Sequence, residues 1–207
     1  MTRIQRLEKS ILLGLCAALL AGFCAENAQH TLAAQLTRLQ IIAHSDTPED
    51  QALKLQVRDT VAAMAENLTA ECRDAQTAQR ILTASLAQIE DAARLTVYQN
   101  SRVTPVKAML APVYYPTRDY GSFRLPAGEY MALRVVLGEG KGQNWWCVAY
   151  PALCSAAAKA ELEEKGRSAG MEEWTLRLIT DDGTAVSLRF WLVDAVGRFC
   201  RLLQDFR

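Results

Sequence analysis

The sequence lacks an excess of charge of either sign. Its 207 residues carry 23 lysines and arginines against 23 aspartates and glutamates, so the formal net charge is zero. A nucleic-acid-binding domain needs a basic surface, and a solvating tail needs a block of like charges. Balanced charge therefore argues against both. Repeats and low-complexity segments are also lacking, and a composition of 50% hydrophobic and 22% charged residues suits one globular domain.

Histidine is scarce, and this limits the chemistry that the chain can perform. Of the two histidines, His30 and His44, only His44 lies inside the region predicted to fold. Zinc needs ligands at matched short spacings, and Cys147 and Cys154 form a single C-x6-C pair without a second one. We therefore predict no metal site. A thiol hydrolase remains an alternative, with Cys147 as nucleophile, His44 as base and Asp46 orienting it.

Phosphate-binding glycine motifs are lacking as well. The run GEGKG at residues 138–142 has the spacing neither of a phosphate loop nor of a dinucleotide fingerprint, so we expect a flexible loop and no cofactor. Carboxylate pairs such as Glu129 with Glu139, or Asp46 with Asp50, have no spacing that places them in one cleft. Helix caps and solvated turns account for them. The sequence predicts no catalytic residue, and we expect a protein that is not an enzyme.

The N-terminus has the plan of a secretory signal. Arg3, Arg6 and Lys9 precede an apolar run over residues 11–24. Phe23 stands where a small side chain would favour cleavage after residue 25, so an uncut membrane anchor through residues 11–24 is the alternative. We interpret residues 1–25 as signal or anchor and residues 26–35 as a linker.

Export also favours disulfides, and a bond between Cys147 and Cys154 is predicted, whereas Cys72 and Cys200 are expected to be buried thiols.

Three stretches have the pattern of β-strands. Polar and apolar residues alternate from residue 36 to about residue 44, and Val106, Ala108 and Leu110 alternate with Lys107 and Met109 within a second strand over 103–112. A third strand is predicted over 129–137, after the bend at Ala127 and Gly128. The bend before residue 129 makes the last two strands antiparallel partners. Adjacent tryptophans follow at residues 145 and 146, and at least one of them is expected in the core because exposing it would be costly.

Helix signals lie between the first two strands. Asp46 or Thr47 can cap a helix, Pro48 suits its first turn, and Glu49 and Asp50 favour its positive end. This helix carries an apolar stripe. A second helix is predicted over residues 74–98, and the short connection makes the two antiparallel neighbours on one sheet face.

The last fifty residues carry a helix, a hairpin and another helix by pattern. Residues 155–165 are rich in alanine and glutamate, residues 173–180 and 184–191 flank a turn at DDG, and residues 192–206 are amphipathic. The predicted fold is a single α+β domain over residues 36–207, with helices on one side of a mostly antiparallel sheet and a C-terminal hairpin and helix.

Aromatic residues concentrate in residues 112–154, where two of four tryptophans and five of six tyrosines occur. The run YPTRDYGSFRLPAGEYMALRVVLGEGKGQNWWCVAYPALC resembles the signature region of the stage II sporulation protein R family. Its most specific parts are PAGEY at 126–130, LGEGKGQNWWCV at 137–148 and P-x-L-C at 151–154. A second segment, IIAHSDTPEDQALKLQVRDTV at 41–61, resembles the family's other recognisable region. The resemblance covers residues 36–154, and residues 155–207 form an extension without a matching motif.

The resemblance implies an exported signal of endospore formation rather than an enzyme. Proteins of this family pass from the forespore into the space between forespore and mother cell. There they activate a membrane-embedded aspartic-type protease of the mother cell membrane, which processes the mother-cell pro-sigma factor, pro-sigma-E. The family usually has asparagine where this chain has His44, and this departure weakens the thiol hydrolase alternative. A structural envelope protein is a further alternative.

Candidate contacts with the receptor come from both matched segments. Tyrosine, tryptophan and arginine anchor protein interfaces, and a loop can display several of them together. The candidates are Tyr115, Arg118, Tyr120, Trp145 and Trp146 from the aromatic stretch and Asp46, Glu49, Asp50 and Arg58 from the upstream segment. We expect the two segments to meet in space.

Overall fold

The computed structural model describes residues 3–153 and 159–180. Its helices are α1 (Arg3–Ala34), α2 (Pro48–Thr69), α3 (Ala75–Ala84), α4 (Leu86–Gln99), α5 (Lys159–Ser168) and α6 (Glu173–Thr180). Its strands are β1 (Thr37–Ile42), β2 (Val106–Tyr115), β3 (Arg118–Asp119), β4 (Arg124–Leu125), β5 (Gly128–Leu137) and β6 (Asn144–Tyr150). Cys154 and the segment predicted as a second hairpin strand and last helix lie outside the described residues.

The four long strands form one mixed sheet in the order β2-β5-β1-β6. Strand β1 runs parallel to β5 and antiparallel to β6, and β2 runs antiparallel to β5. The short strands β3 and β4 form a separate hairpin. The predicted α+β domain with a mostly antiparallel sheet is therefore confirmed.

Helices α2, α3 and α4 cover one face of the sheet. Thr47 caps α2 by accepting a hydrogen bond from the Asp50 backbone N–H, as its position before Pro48 predicts. Helices α2 and α4 are antiparallel, with a 2.9 Å hydrogen bond between the hydroxyls of Thr60 and Thr96. The core below them is made of Leu39, Ile41, Leu53, Val57, Val61, Leu82, Ile89, Val97, Leu133, Val135 and Leu137.

The second predicted helix is in fact two helices. Ser85 has φ −100° and ψ 6°, ends α3 and precedes α4. Leu82 of α3 and Ile89 of α4 both enter the first core. Sequence periodicity continues across Ser85, because the apolar spacing is preserved on both sides.

Helices also cover the opposite face of the sheet, which corrects the prediction of helices on one side only. The C-terminal end of α1, the β3–β4 hairpin, α5 and α6 enclose a second core. Its fully or nearly fully buried members include Leu32, Leu36, Tyr115, Phe123, Leu125, Tyr130, Leu153, Leu162, Leu176 and Ile179. The predicted linker at residues 26–35 is wrong. Residues 26–34 continue α1, because Leu32 gains a fully buried position against the sheet.

The predicted hairpin at residues 173–180 is wrong for its first arm. These residues form α6, whose buried positions are Thr175, Leu176, Ile179 and Thr180. Buried residues at i, i+1, i+4 and i+5 follow the helical period, whereas the alternation of Trp174, Leu176 and Leu178 suggested a strand. Packing of Leu176 and Ile179 into the second core decides between the two patterns.

Candidate functional site

The two segments that carry the sequence motifs lie side by side. Strands β1 and β6 pair, and beyond their ends the Gly142 N–H donates to the Ala43 carbonyl at 3.0 Å. The Gln143 N–H donates to the Asp46 carboxylate at 2.7 Å, and the Lys54 ammonium donates to the Gln143 carbonyl at 3.2 Å. The prediction that the two segments meet is confirmed.

The glycine-rich loop at 138–142 is held on several sides, which corrects the expectation of a flexible loop. The Gly138 N–H donates to the Pro105 carbonyl at 2.7 Å, and the Glu139 N–H donates to Nδ1 of His44 at 3.0 Å. Glycines here permit close approach of two backbones, a role that their spacing in the sequence does not distinguish from flexibility.

Trp145 and Trp146 point to opposite faces of the sheet, because successive side chains alternate along a strand. Trp145 faces α2, is 36% exposed, and has the Arg58 guanidinium 4.5 Å from its ring centroid. Trp146 is half-buried, packs against the second core, and has its ring centroid 4.5 Å from that of Tyr115. Neither tryptophan is fully buried, so both retain surface that a partner can contact.

The acidic candidates divide between surface and interior. Asp46 and Glu49 are exposed, whereas Asp50 is 6% exposed. Asp50 accepts a 2.6 Å hydrogen bond from the Ser45 hydroxyl. This bond holds the pKa of Asp50 below its ordinary value, opposed by burial and aided by the nearby charges of His44 and Arg102. Asp50 therefore orders the start of α2 from within.

Replacing Asp50 by asparagine is expected to lower the free energy of unfolding by about 1 kcal/mol at pH 7, because the Ser45 hydroxyl then donates to a neutral amide in place of a charged carboxylate. A lowered folded-state pKa stabilises the fold above the unfolded-state pKa of about 3.9, and that contribution disappears as the pH falls through the folded-state pKa. Urea unfolding of wild type and Asp50→Asn should therefore differ at pH 7 and converge as the pH is lowered from 5 towards 2. Glu49→Gln, at an exposed position of the same turn, is the control. A difference that persists unchanged at low pH would contradict this explanation.

An arginine without exposed surface lies at the centre of the second face. Arg38 of β1 is 0% exposed. Its Nε donates to the Cys147 carbonyl at 2.9 Å, and its Nη2 donates to the Tyr120 hydroxyl at 2.5 Å. The guanidinium carbon lies 4.1 Å from the Tyr115 ring centroid and 5.1 Å from that of Tyr130. The Arg38 cluster is our name for Arg38, Tyr115, Tyr120, Tyr130 and Cys147, together with the adjacent Trp146, Arg118 and Arg134.

The tyrosines of the Arg38 cluster remain protonated around neutral pH. Burial raises the pKa of Tyr130 to about 12, and it raises the pKa of Tyr115 and Tyr120 as well, while the positive charge of Arg38 acts in the opposite direction. Each hydroxyl therefore keeps its proton at neutral pH. The Tyr130 hydroxyl donates to the Pro126 carbonyl at 2.7 Å.

The predicted contacts Tyr115, Arg118 and Tyr120 come together in this cluster at different depths. Tyr115 is fully buried and supports the surface from beneath. Tyr120 is half-buried and stacks on Phe123 with centroids 4.6 Å apart, and Arg118 is exposed, 5.9 Å from the Trp146 ring. The structure thus brings part of the predicted set together.

Sequence reasoning missed Arg38, Tyr130 and Arg134 as members of this site. The signal was a charged residue, Arg38, inside the first predicted strand. All six residues of β1 are buried. An arginine in a strand between two neighbours in a sheet requires partners of its own, since burial of an unpaired charge is costly.

The thiol hydrolase arrangement is not assembled. Cys147 is disulfide-bonded, and its bonding partner lies outside the described residues. Cys147 is 4% exposed and pairs with Leu39 in the sheet. His44 follows Leu39 by five residues, which places it on the order of 15 Å from Cys147 at the rise per residue of a strand. Nδ1 of His44 accepts from the Glu139 N–H. In residues 3–153 and 159–180, no group of three metal-ligating side chains is close enough to hold a metal ion.

The N-terminal helix is long and apolar enough over Lys9–Ala34 to cross a membrane, by length and composition. A signal sequence has the same properties. This agrees with a signal peptide or an anchor and with export of the domain that follows.

Comparison with known proteins assigns the chain to a family. The family model of stage II sporulation protein R matches residues 33–160. Stage II sporulation protein R of Bacillus subtilis (strain 168) is 31% identical to this chain, over 82% of the chain and 83% of the relative. No solved structure matches the chain. The chain therefore belongs to the stage II sporulation protein R family.

Proposed function

We propose that this protein is an exported intercellular signal of endospore formation. It activates a membrane-embedded aspartic-type protease of the mother cell membrane, and that protease processes the mother-cell pro-sigma factor. Membership of the stage II sporulation protein R family carries the proposal. The apolar N-terminal helix supports export. In this proposal the protein passes from the forespore into the space between forespore and mother cell.

Activation in this proposal needs binding and no chemistry by the signal itself. A ligand shifts a receptor to its active form only by binding that form more tightly than the inactive one. The mixed surface around Trp146 and Arg118 is suited to such binding, because aromatic and arginine side chains dominate interface energies. Separation of Cys147 from His44 removes the observation that would have favoured a hydrolase.

Reconstitution tests the proposal. The chain with its export signal, the protease and the sigma-factor precursor are produced together in a non-sporulating host, and processing is followed by gel mobility. We expect processing only when both the signal and the protease are present, with omission of each as the control. No processing, despite confirmed export and folding of the signal, would overturn the proposed function for this pair.

A further inference from the structure

Three arginines of the second sheet face lack a carboxylate partner among the described residues. They are Arg38, Arg118 and Arg134. Five other arginines form ion pairs with aspartate or glutamate, namely Arg58, Arg94, Arg124, Arg167 and Arg177. The most buried arginine is thus one without a counter-charge, the reverse of the usual arrangement.

Unused hydrogen-bonding atoms lie in the same cluster. Nη1 of Arg38, the Tyr115 hydroxyl and Nε of Arg134 are buried without a hydrogen-bond partner. All three can donate. Arg38 and Tyr115 are fully buried, so water at the protein surface cannot supply the missing hydrogen bonds.

Register brings these donors to one place. Gln40 and Arg134 pair across β1 and β5, and Gln40 pairs with Trp146 across β1 and β6, so the three side chains lie in one row on the face that carries Arg38. The positive charges of Arg38 and Arg134 both act on Tyr115. Trp146 connects this row to Arg118, whose guanidinium lies 5.9 Å from its ring.

The accessible side of the cluster is its rim. Arg118 is exposed, and Arg134 and Trp146 are half-buried, whereas Arg38 forms the floor. A ligand that enters between the rim residues meets two guanidinium groups before it reaches Arg38. Side chains at the rim can change rotamer without disturbing strand pairing.

We propose that the Arg38 cluster is the docking site for the carboxylate of an aspartate or glutamate side chain of the receptor, an inference that rests on the proposed function. A planar carboxylate accepts paired hydrogen bonds from guanidinium groups and compensates their buried charge. Oε1 of Gln40 is a buried acceptor without a partner, and it suits a backbone N–H of the same acidic segment. A phosphate group offers Gln40 no backbone N–H, and this favours an acidic peptide segment as the ligand.

Rim substitutions test this site, because replacing Arg38 itself would also disturb the core. In the reconstituted processing assay with limiting signal, Arg118→Gln and Arg134→Gln are each expected to slow processing at least about tenfold. Arg94→Gln is the matched control, since Arg94 is an ion-paired arginine on α4, across the sheet. Wild-type rates for both rim variants would overturn the docking site while leaving the proposed function intact. Absence of wild-type processing would instead count against the proposed function.

Charge reversal identifies the partner group. Arg118→Glu is expected to abolish processing, and an aspartate or glutamate to arginine substitution in the exposed part of the receptor is expected to restore it. Failure of every such receptor substitution to restore processing would overturn the assignment to a receptor carboxylate.

A direct measurement uses the full chain without the receptor. Thermal unfolding is followed with sodium glutarate and with sodium phosphate at matched ionic strength. We expect glutarate to raise the midpoint for wild type and not for Arg134→Gln. Greater stabilisation by phosphate would overturn the carboxylate assignment and indicate a phosphate-bearing partner such as a lipid headgroup, and no stabilisation by either anion would overturn an anion site.

Discussion

Leu32→Ala is expected to lower the free energy of unfolding by about 2 to 5 kcal/mol, the range for removing a fully buried leucine side chain. Leu32 is 0% exposed and packs in the second core with residues from the sheet, the hairpin and α6. Alanine has the higher helix propensity, so the loss comes from packing alone. Urea unfolding of the full chain in mild detergent measures it.

The control for Leu32→Ala is His30→Ala in the same turn of α1. His30 is exposed, with the Glu26 carboxylate 3.9 Å from its ring nitrogen, and its replacement is expected to change stability by less than about 0.5 kcal/mol. Equal stabilities of the two variants would mean that residues 26–34 are not part of the folded domain. The predicted difference also limits where an N-terminal signal can be removed, because cleavage after residue 32 would remove a core residue.

Gly142→Ala is expected to lower the free energy of unfolding by about 1 to 3 kcal/mol, the usual cost of overpacking. A Cβ atom at this position would overlap the Ser45 carbonyl oxygen, and it would lie 2.6 Å from that carbonyl's carbon and 2.8 Å from Cβ of Ala43. Backbone cannot move aside here without loss of the Gly142 to Ala43 hydrogen bond. Equilibrium unfolding and hydrogen exchange of the 138–143 amides measure the effect.

Lys141→Ala provides the neighbouring control. The Lys141 side chain is 77% exposed and contacts Glu139, so we expect a change of less than about 0.5 kcal/mol. Gly142→Ala protein with wild-type stability would show that the 138–142 loop is not held against the segment before α2. Loss of amide protection in Gly142→Ala alone would agree with the close approach of the two backbones.

The start of α2 and the central strands follow from local sequence. Thr47 before Pro48 specifies a cap and a first turn through the backbone geometry of those residues, and the structure has both. The bend at Ala127 and Gly128 followed by a largely apolar run predicted β5, and the structure has this strand at Gly128–Leu137. These elements were predictable because neighbouring residues alone determine them.

Residues 26–34 and 173–180 were wrongly predicted because their local pattern is ambiguous. Both stretches mix apolar and polar residues in a way that a linker or a strand also satisfies. Their helices are selected by burial of Leu32, Leu176 and Ile179 against the second sheet face, a surface that exists only after the sheet has formed. Long-range packing therefore overrode local preference.

The sequence by itself determined the family, the export signal or anchor, and the residue types of the candidate surface, because these depend on motifs and composition. Only the tertiary structure decided which of those residues act together. Strand pairing places Trp145 beside Arg58 on one face and Trp146 beside Tyr115 on the other, so adjacent residues belong to different surfaces. The same pairing brings Arg38 beneath the aromatic residues of a distant segment. Arg38 forms hydrogen bonds with Tyr120, 82 residues away in the sequence, and with Cys147, 109 residues away. The physical reason is that successive side chains of a strand point to opposite faces of the sheet. Which residues then become neighbours depends on the register of strand pairing, and local sequence does not reveal that register.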